Sequence, residues 1–211
     1  YGIDELRENN VIQADYTYRK YEKGLLRDDG EPGFQTVTGR VELYSYVLSA
    51  YDEQPVPCFE EPDCSPVSQP PEVVEKYPLV YTTGGRHISA FHSEHRQVPS
   101  LRALHPDPLV TINPVTAARY GIKDGDWVRV ETMFGKCTQK AHLTYEVNEK
   151  TIHVEHGWWF PEQDGEAPNL FGTFDANANN LIPHESVGVT GYGAPYKNGI
   201  CSITRVDSMK D

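Results

Sequence analysis

The sequence predicts a mainly β chain, a closed or nearly closed barrel with short helices inserted, preceded by an extended segment. Three observations carry this. Short runs that alternate apolar and polar residues recur between Leu79 and Val206. Tight turns built on glycine separate them, at Gly84-Gly85, Lys123-Asp-Gly-Asp126 and Phe134-Gly135-Lys136. Only one or two stretches between those turns have room for a helix, and many short strands with few helices fit a barrel better than an α/β sheet.

Taken in order, residues 1–51 are polar, charged and rich in tyrosine, too little for a domain and so the tail of a preceding one. They end in Gly33-Phe-Gln-Thr-Val-Thr-Gly39 and Arg40-Val-Glu-Leu-Tyr-Ser45, which alternates like a half-buried strand after a glycine-bounded turn. Residues 52–78 hold seven of the 16 prolines and seven acids against one lysine, a net charge of −6. Proline lacks the amide donor that helices and ladders need, so this stretch is expected to be an extended acidic linker. The barrel domain, residues 79–211, opens with the strand Leu79-Val-Tyr-Thr-Thr83, which runs into Gly84-Gly85 and a histidine-rich loop. Leu109-Val-Thr-Ile112 is the next strand, and Asn113-Pro114 starts a short helix that Gly121 ends, by the usual preferences for Asn at the cap, Pro at the first turn and Gly past the end. Trp127–Thr132, Cys137–Tyr145 and Thr151–Glu155 follow as strands, and Ile200–Val206 closes the chain.

The 211 residues carry 38% hydrophobic, 11% aromatic and 24% charged side chains, a globular composition that excludes whole-chain disorder, collagen and coiled coil. The formal charge of −12 argues against a general grip on nucleic acid or anionic lipid, so any polyanionic ligand needs a local exception. No run approaches the roughly 18 apolar residues of a membrane helix, so no membrane insertion is expected. Opening on Tyr1 without a basic leader or initiator Met, the sequence reads as a processed chain or a fragment of something larger. Cys58, Cys64, Cys137 and Cys201 show no two-residue spacing, so neither a zinc ribbon nor an iron–sulfur knuckle is encoded. A Cys58–Cys64 disulfide is conceivable, and free thiols are preferred.

The local exception is the window Gly84–Pro106. It holds Arg86, Arg96 and Arg102, four of the eight histidines (87, 92, 95, 105) and one acid, Glu94, for a net charge of +2. Two glycines straight after a strand let backbone amides approach a ligand, and a neighbouring arginine can fork onto phosphate oxygens. A pyrophosphate seat and a solvated loop are the two readings. A zinc hydrolase site from His87, His92 and His95 is a further one, although that spacing matches no metalloprotease helix pattern. His156-Gly-Trp-Trp-Phe-Pro161 follows a strand. Adjacent indoles point apart, so at most one is core while the other stacks on a heterocycle or lines an interface. Asp175-Ala-Asn-Ala-Asn-Asn180 is amide-rich, suited either to reading heterocycle edges or to turns. Gly188, Gly191 and Gly193 do not form a dinucleotide fingerprint, because no strand–helix unit follows them.

In order, Tyr77-Pro-Leu-Val-Tyr-Thr-Thr-Gly-Gly-Arg86, His92-Ser-Glu-His-Arg-Gln97, Ile112-Asn-Pro with Ala117, Gly121-Ile-Lys-Asp-Gly-Asp-Trp-Val-Arg-Val130, His156-Gly-Trp-Trp-Phe-Pro161, Asn177-Ala-Asn-Asn-Leu181 and Tyr196-Lys-Asn-Gly-Ile-Cys201 resemble the C-terminal domain of the molybdenum or tungsten bis(molybdopterin guanine dinucleotide) oxidoreductases, the dimethyl sulfoxide reductase family. Gly33–Ser45 resembles the segment that precedes this domain in the same family. The resemblance implies a six-stranded double-psi β-barrel that clamps molybdopterin guanine dinucleotide, with molybdenum or tungsten, against the remainder of the catalytic subunit. An iron–sulfur electron-transfer subunit is an implied further partner. Carried over, Thr83, Gly84, Arg86 and His87 face a pyrophosphate or pterin, and His92, Ser93 and Arg96 lie towards the pterin and metal. Asn113 contacts the guanine edge, and His156, Trp158, Asn179 and Lys197 complete the pocket. The sequence departs from the family pattern at Thr116, where an acid is frequent, and in the doubled Gly84-Gly85. The family's metal-ligating residue and cluster cysteines lie in earlier domains and have no counterpart here, so this chain alone is not expected to catalyse. The alternative is a stand-alone barrel that binds a protein through an exposed Trp158-Trp159 face, tethered by the acidic linker.

Overall fold

The computed structural model of the chain describes residues 2–9, 11–183 and 198–210. It comprises two compact units, Tyr1–Cys58 and Phe59–Asp211, and the division falls inside the proline-rich stretch. The first unit contains the exposed helix α1 (Ile3–Glu8), a turn-rich middle and the one-turn helix α2 (Tyr46–Ser49). Ser45 caps α2 by accepting from the Leu48 amide at 3.2 Å, and the rings of Tyr21 and Phe34 stack at 5.2 Å. The strand expected over Arg40–Ser45 does not form. Val41 and Leu43 are exposed and have no ladder partner, so alternation there follows turns rather than a sheet.

In the second unit, a helix interrupts the stretch expected to be extended. Pro71 sits at the first helical position of α3 (Pro71–Lys76), where its missing N–H costs nothing and its fixed φ favours the turn. Six strands then form a closed barrel: β1 (Leu79–Thr83), β2 (Leu109–Ile112), β3 (Trp127–Glu131), β4 (Lys136–Leu143), β5 (Thr151–Val154) and β6 (Asn198–Val206), in the spatial order β1-β5-β2-β4-β3-β6. β1 with β5 and β2 with β4 run parallel, and the other four neighbours are antiparallel. This is the mixed six-stranded double-psi barrel that the motifs imply. The core follows from alternation. Val110, Ile112, Val128, Val130, Ile152 and Val154 are all fully buried, while their neighbours along each strand point outward. Each such side chain contributes about 1.5–3 kcal/mol of burial.

Between the strands lie α4 (Pro99–Arg102), α5 (Pro114–Arg119), α6 (Thr173–Ala176) and a 3-10 turn at Ala178–Leu181. Asn113 caps α5 as expected, accepting from Val115 N at 2.9 Å. Thr116 fits where an acid is common because its buried hydroxyl donates to the Glu149 carbonyl at 2.5 Å, which an ionised carboxylate cannot do. No helix among the described residues is long and apolar enough to cross a membrane.

Candidate functional site

Strand direction decides what gathers where. β1 and β5 point the same way, and Thr83 lies beside Val154, so the loop after β1 and the segment after β5 emerge together at one end of the barrel. β2 is antiparallel to β5 and therefore enters at that end, where the Leu109 amide donates to a Glu155 carboxylate oxygen at 3.0 Å. The basic loop thus spans from Thr83 to Leu109 across this end. Asn113, at the far end of β2, lies at the opposite end of the barrel.

The doubled glycine has two reasons. Gly84 has φ +104°, a conformation that disfavours a side chain. A Cβ on Gly85 would come within 2.7 Å of His153 Nε2, so its absence makes room for that ring, whose Nδ1 is 3.2 Å from Thr82 Oγ1. Burial holds the His153 imidazole below its usual pKa, against the pull of Glu155.

Arg96 is nearly fully buried. Its Nε donates to the Gly157 carbonyl at 3.2 Å and its Nη2 to those of His92 (3.2 Å) and His156 (3.5 Å), so the guanidinium stitches the basic loop to the segment after β5. It also stacks 3.9 Å from the centre of the Trp158 ring, and Arg102 stacks on the same indole at 4.9 Å. Trp158 is 0% exposed, a platform that both guanidiniums approach. Trp159 is the partly exposed member of the pair, edge-to-face with Phe171 and donating to the Ser93 carbonyl at 2.5 Å. The sequence expectation that one indole is core is met, and no shared Trp158-Trp159 face exists for a partner to read. His92 Nδ1 and His156 Nε2 are 3.1 Å apart, and burial followed by the nearby His92 holds the His156 imidazole below its usual pKa.

Beneath the loop sits Glu155, 2% exposed at its side chain, with His105 Nε2 2.8 Å from Oε2, His87 Nε2 3.4 Å from Oε1 and Arg96 Nη2 3.5 Å from Oε1. The His87 and His105 rings stack at 3.9 Å. Burial pulls the His87 imidazole down and the Arg96 guanidinium below its usual value, while Glu155 opposes both shifts. Gln139, fully buried in β4, holds the Glu155 backbone. Its Nε2 donates to the Glu155 carbonyl (2.8 Å) and the Ala176 carbonyl (2.9 Å), and its Oε1 accepts from the Glu155 amide (3.0 Å). That link also anchors the amide-rich turn beside the site.

The expected residues therefore divide. Thr83, Gly84, His87, His92, Ser93, Arg96, His156 and Trp158 come together at one end, and Arg86 lies exposed on the loop between Gly84 and His87. Asn179 is exposed on the turn tied in through Gln139. Asn113 is buried at the other end, its Nδ2 spent on the Val147 carbonyl at 2.8 Å. Lys197 lies outside the described residues. His92 and His95 are not in a metal-compatible group with His87; among the described residues that group is His87, His105 and Glu155, whose ligand atoms lie within 4.8 Å of one another. The four cysteines are free, so no Cys58–Cys64 bond is present. Glu155, His153 and Gln139 went unread as site residues in the sequence, and His105 was counted in the basic window without a role of its own. An acid directly after the inward Val154 should point outward by alternation, and only the neighbouring His156 hints otherwise.

One pattern tests for a ligand. Among the described residues, the buried side-chain polar atoms without a hydrogen-bond partner are Thr83 Oγ1, Arg102 Nη1, Glu155 Oε1, His156 Nδ1 and Trp158 Nε1, and all five lie at this end of the barrel. Buried polar atoms are almost always satisfied in native proteins, so such a concentration marks a place where something else supplies the partners. Three of the five are donors and a fourth is an imidazole nitrogen that can donate, a set that fits a polar, anionic ligand such as a pterin dinucleotide.

The molydopterin dinucleotide binding domain family matches residues 79–198. The chain belongs to that family. It is 41% identical over 189 residues to the dopamine dehydroxylase of Eggerthella lenta, covering 80% of this chain and 18% of that protein. It is 36% identical over 153 residues to the acetylene hydratase of Syntrophotalea acetylenica, covering 72% of this chain and 21% of that protein. The solved acetylene hydratase from Pelobacter acetylenicus superposes with a TM-score of 0.75 at 29% identity, over 85% of this chain and 25% of that one. The chain thus spans about a fifth of the length of these curated relatives, which fall in the dimethyl sulfoxide reductase family that the motifs resemble.

Proposed function

We propose that this chain binds and orients a molybdopterin guanine dinucleotide, carrying molybdenum or tungsten, as the C-terminal domain of a larger oxidoreductase subunit. The observation that carries this is the concentration of unpartnered buried donors around the positive loop, at one end of a barrel of the matching family. Gly84 and the exposed Arg86 present backbone and guanidinium to the pyrophosphate. Thr83, His156 and Trp158 offer donors to polar edges of the cofactor, and His92 and Ser93 border it. Arg96 holds that rim in place through its three carbonyls rather than by pairing with a phosphate. Asn179 and Lys197 are proposed for the outer wall. Asn113, committed to α5 and Val147, acts as a structural cap. The redox or hydration chemistry belongs to the metal–dithiolene group, and this chain supplies position and electrostatics. The remainder of the subunit forms the other side of the clamp, and an iron–sulfur subunit is the partner through which such an enzyme exchanges electrons.

The test is cofactor retention in the parent protein. Arg86→Ala should weaken cofactor affinity roughly tenfold or more, the scale of a lost charged hydrogen bond, read as pterin per subunit after purification. Arg205→Ala, at the opposite end of the barrel where Arg205 pairs with Asp126, should leave it unchanged. Equal retention by both variants would contradict the proposal.

A further inference from the structure

Independently of the cofactor, we infer that His87, His105 and Glu155 form a binding site for one divalent transition-metal ion, zinc by its donor chemistry. Two imidazoles and a carboxylate are a nitrogen and oxygen set that suits zinc. Glu155 is the fixed point. Its backbone is clamped by Gln139 and its Oε2 accepts from the Leu109 amide, while Oε1 is buried and has no hydrogen-bond partner. A buried carboxylate oxygen without a hydrogen-bond partner is a place where a bound cation can complete the contacts. Arg96 pairs with this oxygen as an ion at 3.5 Å, but its hydrogen bonds go to the His92, His156 and Gly157 carbonyls, so the lone pairs of Oε1 stay open to a metal.

The two imidazoles approach the same carboxylate from stacked rings, at 3.4 Å and 2.8 Å from its two oxygens. Ligand atoms around tetrahedral zinc stand about 3.3 Å apart, so small adjustments suffice. A three-residue set leaves the fourth position for water or an anion, which the neighbouring Arg96 charge favours. His87 opens the basic loop and His105 nears its end, and Glu155 follows β5. One ion would therefore pin two distant points of a loop with little regular structure to the barrel rim, and closing a long loop is where a metal clip stabilises most. The zinc assignment is made on different residues from the His87, His92 and His95 set that spacing suggested.

The test uses the full chain, stripped with chelator and titrated with Co²⁺ as an optical stand-in for zinc, with Zn²⁺ in competition. The expected result is one equivalent of Co²⁺ with the visible absorption of a low-coordinate site, displaced by Zn²⁺, and trypsin resistance of the Gly84–Pro106 loop that depends on the metal. His105→Ala and His87→Ala should each weaken binding roughly tenfold or more, while His95→Ala does not. These positions are less buried than Glu155, at 13% and 37% side-chain exposure, so the test stands even if Glu155→Gln fails to fold. Absence of saturable Co²⁺ binding, or equal binding by His105→Ala and the unsubstituted chain, overturns the site. Neither result depends on pterin content, so its failure and that of the cofactor proposal are separable.

Discussion

Cys137 and Cys201 lie in the barrel core, where burial pushes the Cys137 thiol up to about 12 and the Cys201 thiol also well above the usual range. Both keep their protons in the folded chain and lose them in the unfolded chain above about pH 9, so folding binds protons there and stability must fall as pH rises. Each thiol contributes about 1.4 kcal/mol per pH unit above that point. The urea midpoint of the barrel is expected to drop between about pH 8 and pH 10, with Tyr81, whose phenol is also pushed up by burial, adding to the fall. A midpoint that stays level contradicts this. The same burial predicts that iodoacetamide labels exposed Cys58 in the native chain and reaches Cys137 only on unfolding. A further prediction concerns Gly85. Alanine there forces the His153 ring aside, so Gly85→Ala should shift the His153 NMR resonances and destabilise, and Gly85→Ala with His153→Ala should destabilise less than the sum of the two. The need for glycine was legible at both positions, but its cause at Gly85, a histidine 68 positions later in the chain numbering, was not.

At the scale of elements, the strands were readable because one face of each is buried, so Val128 and Val130 or Ile152 and Val154 announce themselves by alternation. The same signal failed over Arg40–Ser45, where alternation has no sheet to serve, and the proline count concealed α3, because a proline at a first helical turn is permitted. It also failed at β5's end, where Val154 and Glu155 are both buried. Glu155 turns inward because Gln139, on β4 with β2 lying between it and β5, meets both of its backbone groups. Gln139→Leu leaves the Glu155 and Ala176 carbonyls without their donor, while the Glu155 amide keeps the Leu109 carbonyl, a loss expected at about 2 kcal/mol or more in urea unfolding. It should also loosen the loop end that Glu155 holds. No loss of stability would mean that Gln139 merely fills space.

For the molecule as a whole, a charge of −12 suggests an unwelcoming surface for a polyanion, yet residues 52–78 carry −6 of it and the loop Gly84–Pro106 carries +2. The barrel's strand directions bring that loop and the segment after β5 to one end, which collects every buried polar side-chain atom without a hydrogen-bond partner among the described residues. The ordered motifs made the family and the fold legible, but not the division of labour within the loop. Whether an arginine faces a ligand or, like Arg96, holds backbone carbonyls depends on long-range contacts that spacing does not encode. The most direct test of this account is a structure of the loaded parent protein. It should show the dinucleotide at the Thr83 and His156 end, with Thr83 Oγ1, His156 Nδ1 or Trp158 Nε1 bonded to it and its pyrophosphate against Gly84 and Arg86. A cofactor that touches this chain only at the Asn113 end, leaving those atoms unpaired, would contradict it.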